Sequence, residues 1–206
     1  MAIEQVVIAG GGGVMGSGIA QVVASAGLNV TIVEVDEAAA EKATRFTTEI
    51  HVGDVLSAPF AAGRFDVVTA FDVIEHVDPE HAILDELARV LRPGGRLLVS
   101  VPAYNWAWSD HDTVNGHYRR YTRPRLVAAV ERAGLRVDRA TYAFAAVFPF
   151  FAADRLLRRA KTALVSGPTE PEDVVTLPDT PAAVDRTLAR LSRFDRWWLA
   201  RRDLPL

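Results

Sequence analysis

The feature that most limits what this chain can become is an alternation of short β-branched runs with helix-forming stretches, repeated five times in the first hundred residues. The run Val6–Ala9 leads into glycines at 10–13, then a helical pattern over about 16–26 that stops at Gly27. Further strands are expected over Asn29–Val35, Glu49–Val52, Asp66–Phe71 and Arg96–Val101. Helices are expected from Glu37 and over Glu80–Leu91, the latter stopped by Pro93-Gly94-Gly95. Such alternation implies parallel strands joined by right-handed crossovers. The expected fold is therefore α/β: a Rossmann-like, doubly wound, mostly parallel sheet with helices on both faces and a helical C-terminal appendage.

Residues 1–145 are expected to form the cofactor-binding unit and 146–206 the helical extension. Past Pro102 an aromatic, polar loop precedes a helix near Arg125–Ala133 and a sixth strand near Leu135–Phe144. The stretch over 148–165 mixes Phe148, Phe150, Phe151, Leu156 and Leu157 with arginines. As a helix it either rests on a membrane face as a peripheral contact or covers the core with an arginine rim. A Pro/acid linker over Gly167–Pro181 leads to a last helix, Ala182–Arg202, which carries Trp197-Trp198.

Composition removes several chemistries. With no cysteine, disulfides, thiolate nucleophiles and thiolate-bound metals are excluded. No apolar run approaches the roughly 18 residues of a membrane span, and the first residues lack a basic stretch followed by an apolar one, so a cytoplasmic protein is expected. The net charge of −3 conceals an acidic first half and an arginine-rich second half. The acidic front argues against a nucleic-acid partner, and the basic rear permits an anionic surface or substrate. Oligomeric state is left open.

Gly11, Gly13 and Gly16 fit G-x-G-x-x-G between a strand and a helix, and Glu34 stands about 20 residues on, at the end of the next strand. The glycines permit a tight turn and close approach of backbone to ligand, and the carboxylate suits ribose hydroxyls. Residues 5–43, with Gly11, Gly13, Met15, Gly16, Gly18, Ile19 and Ala20, resemble the NAD-binding start of the 3-hydroxyacyl-CoA dehydrogenases. The catalytic His–Glu pair and acyl-CoA domain of that family have no counterpart here.

From Thr48 onward, "HVGDVLSAPFAAGRFDVVTAFDVIEHV" and "RVLRPGGRLLVSVP" resemble the class I, type 11, S-adenosylmethionine-dependent methyltransferases. That resemblance implies S-adenosylmethionine as cofactor, with NAD the alternative implied by the first stretch. It places Asp54 and Val55 at the adenine and Phe71 and Asp72 at the methionine end. The stretch "WSDHDTVNGHYRRYTRPRL" is similar to a subgroup acting on glycan or lipid-linked acceptors, so the expected substrate is a small molecule or lipid-linked. Two departures stand out. Ala9 occupies a position where that class carries an acid, and the antiparallel last strand of its sheet has no segment left to form it. A chimera with its seam near 43–49, or a non-catalytic scaffold, is the competing reading.

Methyl transfer from a sulfonium is an in-line displacement, so the protein must chiefly align donor and acceptor, and a base helps where the acceptor is a hydroxyl or amine. Glu75 and His76 follow the fourth strand, and His117 lies on the loop after the fifth, which in a doubly wound fold overhangs the ligand crevice. These three are the expected catalytic residues, weighed against a helix cap and a surface histidine. Asp72, Glu75 and His76 form acid-x-x-Glu-His, and the resemblance implies that some O-methyltransferases of this class hold a divalent metal with such a cluster, although no metal centre is assigned. Arg119 and Arg120 are expected either to clamp an anionic group or to tie their own loop down.

Overall fold

A computed structural model of the chain describes residues 2–10, 14–47, 49–164 and 181–202. Five strands form one all-parallel sheet in the order β3-β2-β1-β4-β5: β1 (Gln5–Ala9), β2 (Asn29–Glu34), β3 (Glu49–Val52), β4 (Phe65–Phe71) and β5 (Leu91–Ser100). The order reverses at β1, which pairs with β2 on one side and β4 on the other. That reversal opens a crevice at the carboxyl ends of β1 and β4, where ligands bind in open α/β sheets.

Period-two alternation within β1 divides the core. Val6 and Ile8 face one way, joining Ala20 of α1 (Val14–Ser25) and Ala43 of α2 (Glu37–Ala43). Val7 and Ala9 face the other way, joining Ile83, Leu84, Leu87 and Val90 of α3 (Glu80–Val90) and Ala129 of α5 (Arg123–Arg132). The i, i+1, i+4, i+7 spacing on α3 lines one helical face with apolar side chains, which is why that helix docks on the sheet. Ala9 is thereby buried in an apolar cluster. The sheet also continues unbroken past residues 43–49, since β3 pairs with β2 over four residues.

Three expectations about element bounds need correction. Helix α1 begins at Val14, and β5 begins at Leu91. Pro93-Gly94-Gly95 does end α3, but it lies inside β5 as an irregularity, where the register passes from Phe65↔Leu91 to Val67↔Arg96. A Cβ on Gly95 would lie 2.9 Å from the Arg92 carbonyl oxygen and 3.0 Å from that of Asp66, so only glycine fits there.

The sixth strand, expected over Leu135–Phe144, does not form. Its polar and aromatic groups have other partners: Arg136 pairs with Asp138, Arg139 donates to the carbonyls of Leu199 and Arg202, and the Tyr142 ring stacks 5.4 Å from Tyr104. Phe144 turns the chain with φ +60°. The segment thus bridges the sheet domain to the two long helices α6 (Phe148–Leu164) and α7 (Ala182–Leu199). Buried Asp195 of α7 accepts the Ala146 N–H just ahead of α6, at 3.1 Å from each carboxylate oxygen. No described helix is long and apolar enough to cross a membrane. Phe150, Leu156 and Leu157 are exposed on α6, and Phe194 and Trp197 on α7.

Candidate functional site

The expected cofactor residues gather along the carboxyl edge of the sheet. Gly11 and Gly13 lie outside the described residues; Gly16 is buried on α1. Glu34, 8% exposed, ends β2 and accepts the Val35 N–H at 2.9 Å and the Asp36 N–H at 3.2 Å through Oε1. Its backbone carbonyl receives Gly53 N–H at 2.8 Å, which brings the turn after β3 alongside. Asp54 is exposed on that turn and caps the 3-10 segment Val55–Ser57 by accepting the Leu56 N–H at 2.9 Å. Val55 packs against the core beneath.

Phe71 ends β4, half-buried. Asp72 then turns the chain with φ +53°, its N–H bonded to the Ser100 carbonyl at 3.0 Å and Oδ1 accepting the Ser100 hydroxyl at 3.3 Å. These bonds clip the ends of β4 and β5 together. On the other flank Gly10 (φ +68°) lies against Val73, so the first loop and the β4 turn are in contact.

Beyond Asp72 a 3-10 turn, Ile74–His76, carries Glu75 inward. Glu75 is fully buried, and neither carboxylate oxygen has a hydrogen-bond partner in another residue. Burial is the main influence on its proton affinity; its own backbone N–H and Arg120 oppose it, and the Asp72 and Asp112 charges add to it. The balance pushes Glu75 up to about 8, so the acid is mostly protonated at neutral pH. His76, the next residue, is exposed. Its ring is held below the usual imidazole range by partial burial and by His117, against a hydrogen bond to the Asn115 carbonyl.

The loop after β5 folds back over this turn. Tyr118 N–H donates to the Glu75 carbonyl at 2.8 Å, which brings His117 edge-on to His76 with ring centroids 4.6 Å apart. Ligand atoms of Glu75, His76 and His117 all lie within 4.8 Å of one another. The three expected catalytic residues, taken from two separate loops, are therefore brought together.

The side chains that hold them are Asp112, which nothing in the sequence singles out, and Arg120. Asp112 of α4 (Asp110–Val114) is fully buried and lies 2.9 Å from His117 Nδ1. Arg120 grips both oxygens of Asp112, Nε to Oδ1 at 2.8 Å and Nη2 to Oδ2 at 2.9 Å, and its Nη1 donates to the Ala103 carbonyl. Burial alone would raise the Asp112 carboxyl, but Arg120, the Ser109 N–H and His117 outweigh it and bring it down to about 2. Arg119 donates to the Val77 carbonyl and Asp78. Of the two roles expected for Arg119 and Arg120, anion clamp or loop anchor, the contacts fit the second: both guanidiniums tie the loop down. His111 is exposed, its ring 6.3 Å from that of His117.

Comparison with known proteins bears directly on this arrangement. Residues 10–99 match the methyltransferase domain family. That one match runs from the glycine loop through β5 and across residues 43–49, and the dehydrogenase resemblance and the chimera find no support beside it. A demethylmenaquinone methyltransferase of Beutenbergia cavernae is 40% identical over 81 residues, covering 38% of this chain and 32% of that protein. A Mycolicibacterium smegmatis protein designated an S-adenosylmethionine-dependent methyltransferase is 35% identical over 92 residues, covering 44% of this chain and 36% of its own. The chain spans about a third of the length of these curated relatives. A methyltransferase-like structure from Bacillus halodurans superposes with TM-score 0.60 at 19% identity, covering 87% of this chain and 86% of that one, which establishes a shared fold. Residues 10–99 are thus similar to methyltransferase domains, and the fold is shared with a methyltransferase-like structure.

Proposed function

We propose that this protein transfers a methyl group from S-adenosylmethionine to a hydroxyl or amine of a small-molecule or lipid-linked acceptor. Gly11, Gly13 and Gly16 would cradle the donor, Glu34 would take its ribose, Asp54 and Val55 would face its adenine, and Phe71 and Asp72 would border its methionine end. Glu75, His76 and His117 form the acceptor-activating group beside the methyl.

One observation carries this reading. The cluster stands on the turns that follow β4 and β5, directly across the sheet's switch point from the carboxylates that follow β2 and β3. A donor laid along the sheet edge from Asp54 to Phe71 would present its methyl to the cluster. Transfer then needs alignment, plus removal of one acceptor proton during or after attack. The exposed apolar side chains of α6 favour a lipid-linked acceptor over a freely soluble one.

Ligand-induced stabilisation tests the donor half. S-adenosylhomocysteine should raise the melting temperature in proportion to the logarithm of its concentration, and NAD should leave it unchanged. Stabilisation by NAD alone would overturn the proposal.

A further inference from the structure

We propose that Glu75, His76 and His117 form a binding site for a divalent first-row transition cation, with Asp112 and the Asn115 carbonyl as the outer groups that aim the two imidazoles. The proposal concerns the same cluster as the methyl-transfer reading and deepens it, because a cation there is the means by which the cluster would lower the proton affinity of an acceptor.

Four features of the cluster support it. The first is the buried carboxylate. Glu75 is fully enclosed, and both oxygens lack a partner in any other residue. Buried polar atoms are almost always satisfied, and an orphaned pair in a native fold calls for a ligand that completes it. Arg120, whose charge acts on Glu75, is committed to Asp112 and the Ala103 carbonyl.

The second feature is convergence. Tetrahedral ligands bonded at 2.0–2.1 Å stand ~3.4 Å apart, and the three ligand atoms here already lie within 4.8 Å of one another. Small side-chain rotations close the remaining gap. His76 is exposed, so one side of the cluster is open to solvent and leaves a coordination position for water or acceptor.

The third is the second shell. Metal-bound histidines almost always direct their other ring nitrogen to a carboxylate or backbone carbonyl, which fixes tautomer and orientation. Both histidines have such a partner: His117 Nδ1 meets Asp112 Oδ1 at 2.9 Å, which leaves Nε2 for a cation, and His76 is bonded to the Asn115 carbonyl. Arg120 in turn fixes Asp112 through both carboxylate oxygens.

The fourth is field and ligand type. Asp72 and Asp112 place further negative charge around the pocket. Two imidazoles with one carboxylate suit Zn²⁺, Fe²⁺ or Co²⁺, whereas Mg²⁺ prefers an all-oxygen shell.

The experiment is titration of the chelator-stripped full-length chain with Co²⁺, followed by its visible d–d absorption, with Zn²⁺ competition and calorimetry alongside. One cation per chain should bind, Zn²⁺ should displace Co²⁺, and Mg²⁺ should not. His117→Ala and Glu75→Gln should each weaken Co²⁺ at least tenfold, and Asp112→Asn, which leaves the three ligands intact, about 10–100-fold. His81→Ala, on α3 away from the cluster, should leave affinity unchanged. Circular dichroism of each variant separates lost folding from lost binding, and His76→Ala supplies an independent ligand deletion if one variant fails to fold. Absence of binding by the folded native chain, or affinity unaltered by both His117→Ala and His76→Ala, would overturn the site. S-adenosylhomocysteine binding measured on the same samples stands apart from this result: failure of either leaves the other in place.

Discussion

Nδ1 of His117 lies 2.9 Å from Oδ1 of Asp112, a carboxylate with no solvent exposure that Arg120 grips from the other side. The pair fixes which nitrogen of His117 faces Glu75 and His76, and it holds the loop after β5 in place over the end of β4.

Asp112→Asn keeps the shape but reverses hydrogen-bond polarity at one atom. Methyl transfer should fall about 10–100-fold, while S-adenosylhomocysteine affinity stays within about twofold, since Asp112 supports the acceptor side. Turnover and ligand affinity measured together check this; equal losses in both would assign Asp112 a purely structural role.

Glu75 is retained against stability. A buried, unsatisfied polar group costs about 1–3 kcal/mol, and Met fills nearly the same volume without that cost. In chelator-stripped protein Glu75→Met should therefore raise the melting temperature by roughly 2–4 °C per kcal/mol recovered, and it should abolish activity. Calorimetry reads the first effect and a methyl-transfer assay the second. A variant less stable than the parent would contradict the unsatisfied environment described for this carboxylate.

Asp66 accepts the Gln5 N–H at 2.8 Å and the Glu4 N–H at 2.7 Å and pairs with Arg92. These contacts hold its carboxyl below the ordinary value of 3.8, the Gln5 bond first, then that of Glu4. Because the folded-state value is depressed, this stabilisation is complete above about pH 4 and disappears as pH falls through the folded-state value. Asp66→Asn should flatten the acid limb of the stability curve and leave its slope near neutrality unchanged, as denaturant midpoints across pH would record.

Gly10 sits at φ +68°, and an added Cβ would lie 3.1 Å from Val73 Cγ2. Gly10→Ala should cost about 1 kcal/mol or more from the left-handed backbone alone. Weakened S-adenosylhomocysteine binding should accompany it, because Gly10 and Val73 join the first loop to the β4 turn. Thermal melts with and without ligand separate the two effects.

Much of this architecture was legible in the sequence because local pattern and tertiary role coincide. Val6–Ala9 and Asp66–Phe71 are short β-branched runs, and α3 carries its apolar residues at helical spacing, so the strands, helices and parallel sheet follow from periodicity. Leu135–Phe144 misled because its apolar content suits a strand, while the partners of Arg139 and Tyr142 lie far along the chain at Leu199, Arg202 and Tyr104. That Glu75, His76 and His117 would meet was readable from their places after strand ends. The Asp112–Arg120 support was not, since nothing in "SDHDTVNGHYRRY" distinguishes which acid turns inward or whether the arginines face a ligand or their own loop.

A methyl-donor site at the switch point of the sheet is tested by isothermal titration of the full chain with S-adenosylhomocysteine and, separately, with NAD. One S-adenosylhomocysteine per chain is expected, with affinity reduced at least tenfold by Asp54→Ala and no heat from NAD. Saturable binding of NAD with none of S-adenosylhomocysteine would contradict it.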